Sequence, residues 1–114
     1  ADERGEGRGL GYNLNLPLPR KTGDEGFMAA LAPAMQRIRA FAPDALVIAL
    51  GLDAHESDPF GGLSVTTRGF SGIGSLIGAA KLPTVLVQEG GYKNEALGAN
   101  LISFLAGFRK ALGT

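Results

Sequence analysis

No cysteine occurs anywhere in the chain, which excludes a disulfide framework and any cysteine-ligated zinc site. Tryptophan is absent and there is a single histidine. Neither sign of charge prevails, since 11 Lys plus Arg balance 11 Asp plus Glu. That balance leaves no basic footprint for nucleic acid and no polybasic segment for an anionic membrane. No apolar run reaches the roughly 18 residues of a membrane span, and the first residues do not read as a signal peptide. The expectation is a cytoplasmic protein with neither nucleic acid nor membrane as a partner.

Glycine is what the chain has in excess: 18 in 114 residues, about twice the roughly 7 % average share. Gly5, Gly7, Gly9 and Gly11 recur with period two in "ADERGEGRGLG". No strand precedes them and the spacing is not GxGxxG, so an extended lead-in is expected rather than a dinucleotide loop. An apolar fraction of 45 % rules out a disordered chain.

Along the chain, Tyr12, Leu14 and Leu16 alternate with Asn13 and Asn15, which predicts a short half-buried strand ended by Pro17 and Pro19. Thr22 and Glu25 have capping-box spacing. They precede a helical stripe of Phe27, Leu31, Met35, Ile38 and Phe41, with Pro33 inside it, so a kinked or two-part helix ending near Phe41 is expected. "ALVIAL", Ala45 to Leu50, is apolar throughout and reads as a strand covered on both faces. Thr66 and Thr67 suit the cap of the next helix, whose stripe is Phe70, Ile73, Leu76, Ile77 and Ala80. Gly72, Gly74 and Gly78 weaken that helix by roughly 1 kcal/mol each unless they permit close packing. "PTVLVQ" is a further buried strand, and the last helix carries Leu97, Leu101, Phe104, Leu105, Phe108 and Leu112. Strands alternating with helices imply an α/β fold with a mostly parallel sheet and flanking helices, in one domain.

In such sheets, ligands sit outside the carboxyl ends of the strands. Two loops lie there, "GLDAHESDPF" and "QEGGY", so Asp53 and Tyr92 are expected on one rim. A carboxylate at that edge needs a partner, either a divalent metal or a loop amide that it caps. His55, two residues on, is either a second ligand or an ordinary loop histidine. Glu56 and Asp58 are expected to face water or cap the turn. Tyr92, on a backbone that the two preceding glycines allow to bend, either donates to a developing oxyanion or plugs the sheet end.

"LGLDAHESDPF", "VQEGGY" and "GYNLNLPLP", in this order and spacing, resemble the C-terminal part of the histone deacetylase-like, arginase-like fold. The type is that of bacterial deacetylases grouped with acetoin utilisation proteins and acetylpolyamine amidohydrolases. "TGD", "FAPDALVIALGLDAHESDP" and "SVTTRGF" fit as well, and the likeness runs from about Asp2 to Leu112. The resemblance implies hydrolysis of acetyl-lysine or related acetyl amides with a zinc ion. Asp53 matches the family's later zinc ligand, and Tyr92 matches the tyrosine that polarises the acetyl carbonyl. Gly90 and Gly91 match the double glycine beside the substrate tunnel, and Phe60 falls where the family has a pocket-lining apolar residue. His55 and Asp58 match no metal ligand. The zinc of that family keeps a place for water and acts as a Lewis acid, with a histidine as base.

The family's tandem histidines and its aspartate-x-histidine zinc pair are absent from these residues. One histidine cannot serve as both ligand and base. The chain is therefore expected to be the C-terminal part of a longer enzyme domain, inactive alone, whose N-terminal remainder supplies the other ligands from the same or a separate polypeptide. A natural half and a non-catalytic binding module derived from the fold are the alternatives.

Overall fold

Helical and strand periodicities settle into five regular elements: α1 (Asp24–Phe41), β1 (Leu46–Leu50), α2 (Thr67–Gly78), β2 (Thr84–Gln88) and α3 (Leu97–Leu112). The computed structural model describes residues 1–114. β1 and β2 run parallel in register, Leu46 opposite Thr84 and Leu50 opposite Gln88, with α2 as the crossover between them. Leu46 and Leu50 point into a core completed by Met35 of α1, Phe70, Ile73 and Ile77 of α2, and Phe104 and Phe108 of α3. Ile48 and Leu86 pack against it. No helix is long and apolar enough to cross a membrane.

The expected cover on both faces of the sheet is not there. Val47 is 76 % exposed, Val85 58 % and Val87 50 %. Side chains alternate across a strand, so an apolar run places every second residue on the far face, and no element of this chain packs over it. The body is correspondingly flattened, 43 × 34 × 22 Å, with a radius of gyration of 14.3 Å against about 13 Å for a compact chain of this length.

The segment from Tyr12 to Leu16 is not a strand, contrary to its alternation. It finds no ladder partner, and a lone strand has nothing to hold it. Arg37 Nη2 donates to Gly11 O at 3.0 Å, and the Tyr12 ring meets Phe41 edge-on at 5.8 Å. Between this segment, α1 and β1 runs an apolar groove of about 700 Å³. The glycine-rich lead-in carries a single 3₁₀ turn at Gly7–Gly9.

α1 is one helix, continuous through Pro33, and it stops at Phe41 because Ala42 turns left-handed (φ 54°). The capping box does not form. Thr22 Oγ1 donates to Pro19 O instead, and Gly23 stands at the N-cap. Asp24 accepts from Thr66 N at 2.8 Å and from Thr66 Oγ1 at 2.6 Å. Thr66 Oγ1 in turn accepts from Gly69 N as the N-cap of α2. One acidic residue thus ties the starts of two helices together, a bond between segments that a local motif does not describe.

The helix glycines do permit close packing. A methyl group at Gly74 would strike Phe104 O and Phe108 N, and one at Gly107 would strike Ser71 O. α2 and α3 therefore meet backbone to backbone. Gly107→Ala is expected to destabilise the protein by about 3 kcal/mol, the scale of overpacking. Gly98→Ala, on the same helix but facing open space, is expected to be neutral or stabilising by up to about 1 kcal/mol. Denaturation midpoints of the two variants check this; equal midpoints would reject the close approach.

Candidate active site

Because β1 and β2 end in register, their exit loops leave side by side, and Glu89 N donates to Leu50 O at 2.9 Å across the strand ends. After β1 comes Gly51 and a 3₁₀ turn, Leu52–Ala54, anchored by the fully buried Leu52. Asp53 rides on this turn, half-buried. After β2 come Gly90 and Gly91, both left-handed, with φ of 80° and 104°. A methyl group at Gly90 would lie 2.7 Å from Asp53 Oδ2, and one at Gly91 would lie 2.8 Å from Leu97 Cδ1 and 2.9 Å from Leu52 Cβ. These two glycines are needed for both conformation and space. They let the second loop press against the first, so Asp53 and Tyr92 do share a rim.

Asp53 accepts no hydrogen bond and joins no ion pair within the chain. Of its two expected partners, the loop amide falls to Asp58 instead. Asp58 is 8 % exposed; its Oδ1 accepts from Phe60 N and Gly61 N, both at 2.8 Å, and its Oδ2 accepts from Tyr92 N at 3.0 Å. Burial works against ionisation of Asp58, but the backbone N–H groups of Tyr92, Phe60 and Gly61 outweigh it and hold the carboxyl below its ordinary 3.8. Its contribution to the join is therefore complete above pH 3.8 and is lost as pH falls through the lower value. Asp58 does cap its turn, as expected, but it does not face water. Its reach to Tyr92 was not legible, because that partner lies 34 residues away.

Phe60, 79 % exposed, and Tyr92, 45 % exposed, meet edge to face with ring centroids 5.0 Å apart. Asn94 Nδ2 donates to Tyr92 O at 2.9 Å, so the Tyr92 backbone is fixed on both sides. Its phenol hydroxyl makes no hydrogen bond within the chain and so does not plug the sheet end by bonding to it.

His55 is a buried residue, 4 % exposed, rather than an open loop histidine. Its Nδ1 accepts from Ser57 N at 3.1 Å, which assigns the proton of the neutral ring to Nε2, facing Thr67 Oγ1 at 3.3 Å. Thr67 Oγ1 donates onward to Asn100 Oδ1 at 2.7 Å, and the ring stacks on Phe70. Both ring nitrogens are engaged, so His55 has no lone pair left for a metal. No three His, Cys, Asp or Glu residues gather as a metal-holding group. Asp53, a free carboxylate walled by glycine, fits one position in a zinc site. The chain alone does not fit a complete one.

The sequence pattern of the histone deacetylase domain matches residues 1–108. An acetylpolyamine amidohydrolase of Burkholderia pseudomallei is 53 % identical over 107 residues, covering 94 % of this chain and 31 % of that protein. Histone deacetylase 8 of Arabidopsis thaliana is 43 % identical over 97 residues, covering 80 % of this chain and 26 % of its own length. The crystal structure of an acetylpolyamine aminohydrolase from Burkholderia pseudomallei superposes with a TM-score of 0.92 at 52 % identity, over 96 % of this chain and 32 % of that one. The chain thus spans about a third of the length of the relatives it matches. With the parallel strands, the paired exit loops and the match along nearly its whole length, the chain belongs to the histone deacetylase domain family.

Proposed function

We propose that this chain is the C-terminal part of a zinc-dependent amidohydrolase that removes acetyl groups from amines, acetylpolyamines or acetyl-lysine side chains among them. The observation that carries the reading is the meeting of a free carboxylate, Asp53, and a free phenol, Tyr92, at one rim, from two loops pressed together by Gly90 and Gly91. Relatives named for acetylpolyamine and histone deacetylation support the substrate class.

In hydrolysis the carbonyl carbon gains an oxygen from water, the C–N bond breaks, and the amine leaves with a proton while acetate remains. Asp53 would be one ligand of the zinc, which when bound supplies Lewis acidity toward the carbonyl. The Tyr92 hydroxyl is a donor for the oxygen as it becomes an oxyanion. Gly90 and Gly91 keep the wall beside the substrate thin, and Phe60 lends it an apolar face. The base and the remaining ligands come from the rest of the domain, since His55 is committed to Ser57 and Thr67. That remainder also covers the bare valines of β1 and β2.

The full-length zinc-loaded protein is expected to release acetate from an acetylated polyamine or an acetyl-lysine peptide, and the purified 114-residue chain is expected to release none. Acetate release by neither would favour a non-catalytic binding module. Turnover by the short chain alone would overturn the division of the site.

A further inference from the structure

Tyr92 has no side-chain anchor, so the direction of its phenol is set by its backbone and by the ring against it. The backbone N–H is held by Asp58 Oδ2 at 3.0 Å. The ring against it belongs to Phe60, whose own N–H is held by Asp58 Oδ1 at 2.8 Å. Asp58 makes the one side-chain hydrogen bond that crosses between the two rim loops. Asn94 holds Tyr92 O only from within the same loop, and Gly90 and Gly91 give that loop wide backbone freedom, so the Asp58 bond is the one that fixes Tyr92 relative to the first loop.

We infer that Asp58 is the positioning residue of this rim: its buried carboxylate holds Tyr92 and Phe60 in one geometry by accepting a backbone N–H from each. The inference rests on the reading of Tyr92 as the oxyanion donor. An oxyanion donor is effective only when it is preorganised, because reorientation during the reaction cancels its advantage.

Asp58→Asn separates the two arms. An amide has a single acceptor oxygen. Turned toward Phe60 N and Gly61 N, the oxygen keeps two bonds, and the amide NH₂ then faces Tyr92 N–H, donor against donor. The opposite flip loses two bonds and keeps one, so the Tyr92 arm is the one released.

The test is a double-mutant cycle in the full-length zinc-loaded protein, with kcat, KM and zinc content measured for D58N, Y92F and D58N/Y92F. D58N is expected to lower kcat roughly tenfold, with KM within about twofold and zinc content unchanged. Once the hydroxyl is gone its position no longer matters, so D58N in the Y92F background is expected to change kcat by less than about twofold. An equal fall in both backgrounds marks a merely structural role and overturns the inference, as does a D58N enzyme with wild-type kcat. Unchanged kcat in Y92F alone sinks the oxyanion reading, and the role of Asp58 with it, so the two failures are distinct. Should D58N not fold, amide hydrogen exchange of the wild type decides. Tyr92 N–H is expected to exchange at least about tenfold more slowly than Lys93 N–H after correction for intrinsic rates, and equal rates overturn the tether.

Discussion

Asp53→Ala in the full-length protein is expected to lose its zinc on gel filtration and dialysis, and acetate release with it. The loss of affinity should exceed the roughly 10–100-fold that removal of an outer partner of a metal ligand costs, because a charged ligand is itself removed. The structure makes this variant unusually clean to interpret. The Asp53 carboxylate makes no hydrogen bond and no ion pair in the chain, so no polar contact is broken with it, only its packing against Gly51 and Gly90. Stability of the zinc-free protein is expected to stay within about 1 kcal/mol of the parent. Metal analysis and a thermal melt of the zinc-free form therefore separate a lost ligand from a lost fold. Full zinc occupancy in the variant sinks the assignment.

The second large effect belongs to Tyr92→Phe. Removing one oxyanion donor costs about a hundredfold or more in kcat, and the variant is expected to fall on that scale. Its zinc content should match that of the parent, since the phenol is no part of the ligand set proposed. Its KM should change little, because the ring and its edge-to-face contact with Phe60 remain. A hydroxyl acting only in the transition state lowers kcat and kcat/KM together; a fall in affinity alone would mean that it binds substrate rather than stabilising charge.

How far the sequence spoke depended on the range of the interaction. Apolar runs and helical stripes identified β1, α1, α2, β2 and α3, because these are patterns of neighbours. The shared rim of Asp53 and Tyr92 followed from the parallel order of strands and the double glycine. Two of the three Asp58 bonds are local, but the third, to Tyr92, reaches far along the chain and leaves no mark in the neighbouring residues. By its neighbours His55 suits either a second ligand or a loop histidine; its burial depends on Thr67 and Phe70, which only the crossover helix brings to it. Thr22 and Glu25 have the spacing of a capping box, yet Thr22 bonds back to Pro19, and it is Asp24 that reaches across to Thr66. The Tyr12–Leu16 alternation suits a strand, but alternation records a two-faced environment and not a partner, and no strand of this chain pairs with it.

The bare valine face bears on how such a chain acquires its structure. The element pairs that pack together are far apart in sequence: β1 meets β2 only across the whole of α2, Leu46 opposite Thr84, and α1 meets α2 across β1 and its exit loop. Parallel pairing closes a long crossover loop before its contacts reward it, and folding slows as contacts become less local. The two strands are therefore expected to pair late, after α2 has formed between them. Until then, and on the bare face afterwards, Val47, Val85 and Val87 and the free strand edges beside them are a template for another copy of the chain. Slow pairing and the risk of misassembly thus arise from one feature, the parallel pair with a bare face, and recovery on refolding is expected to fall as protein concentration rises.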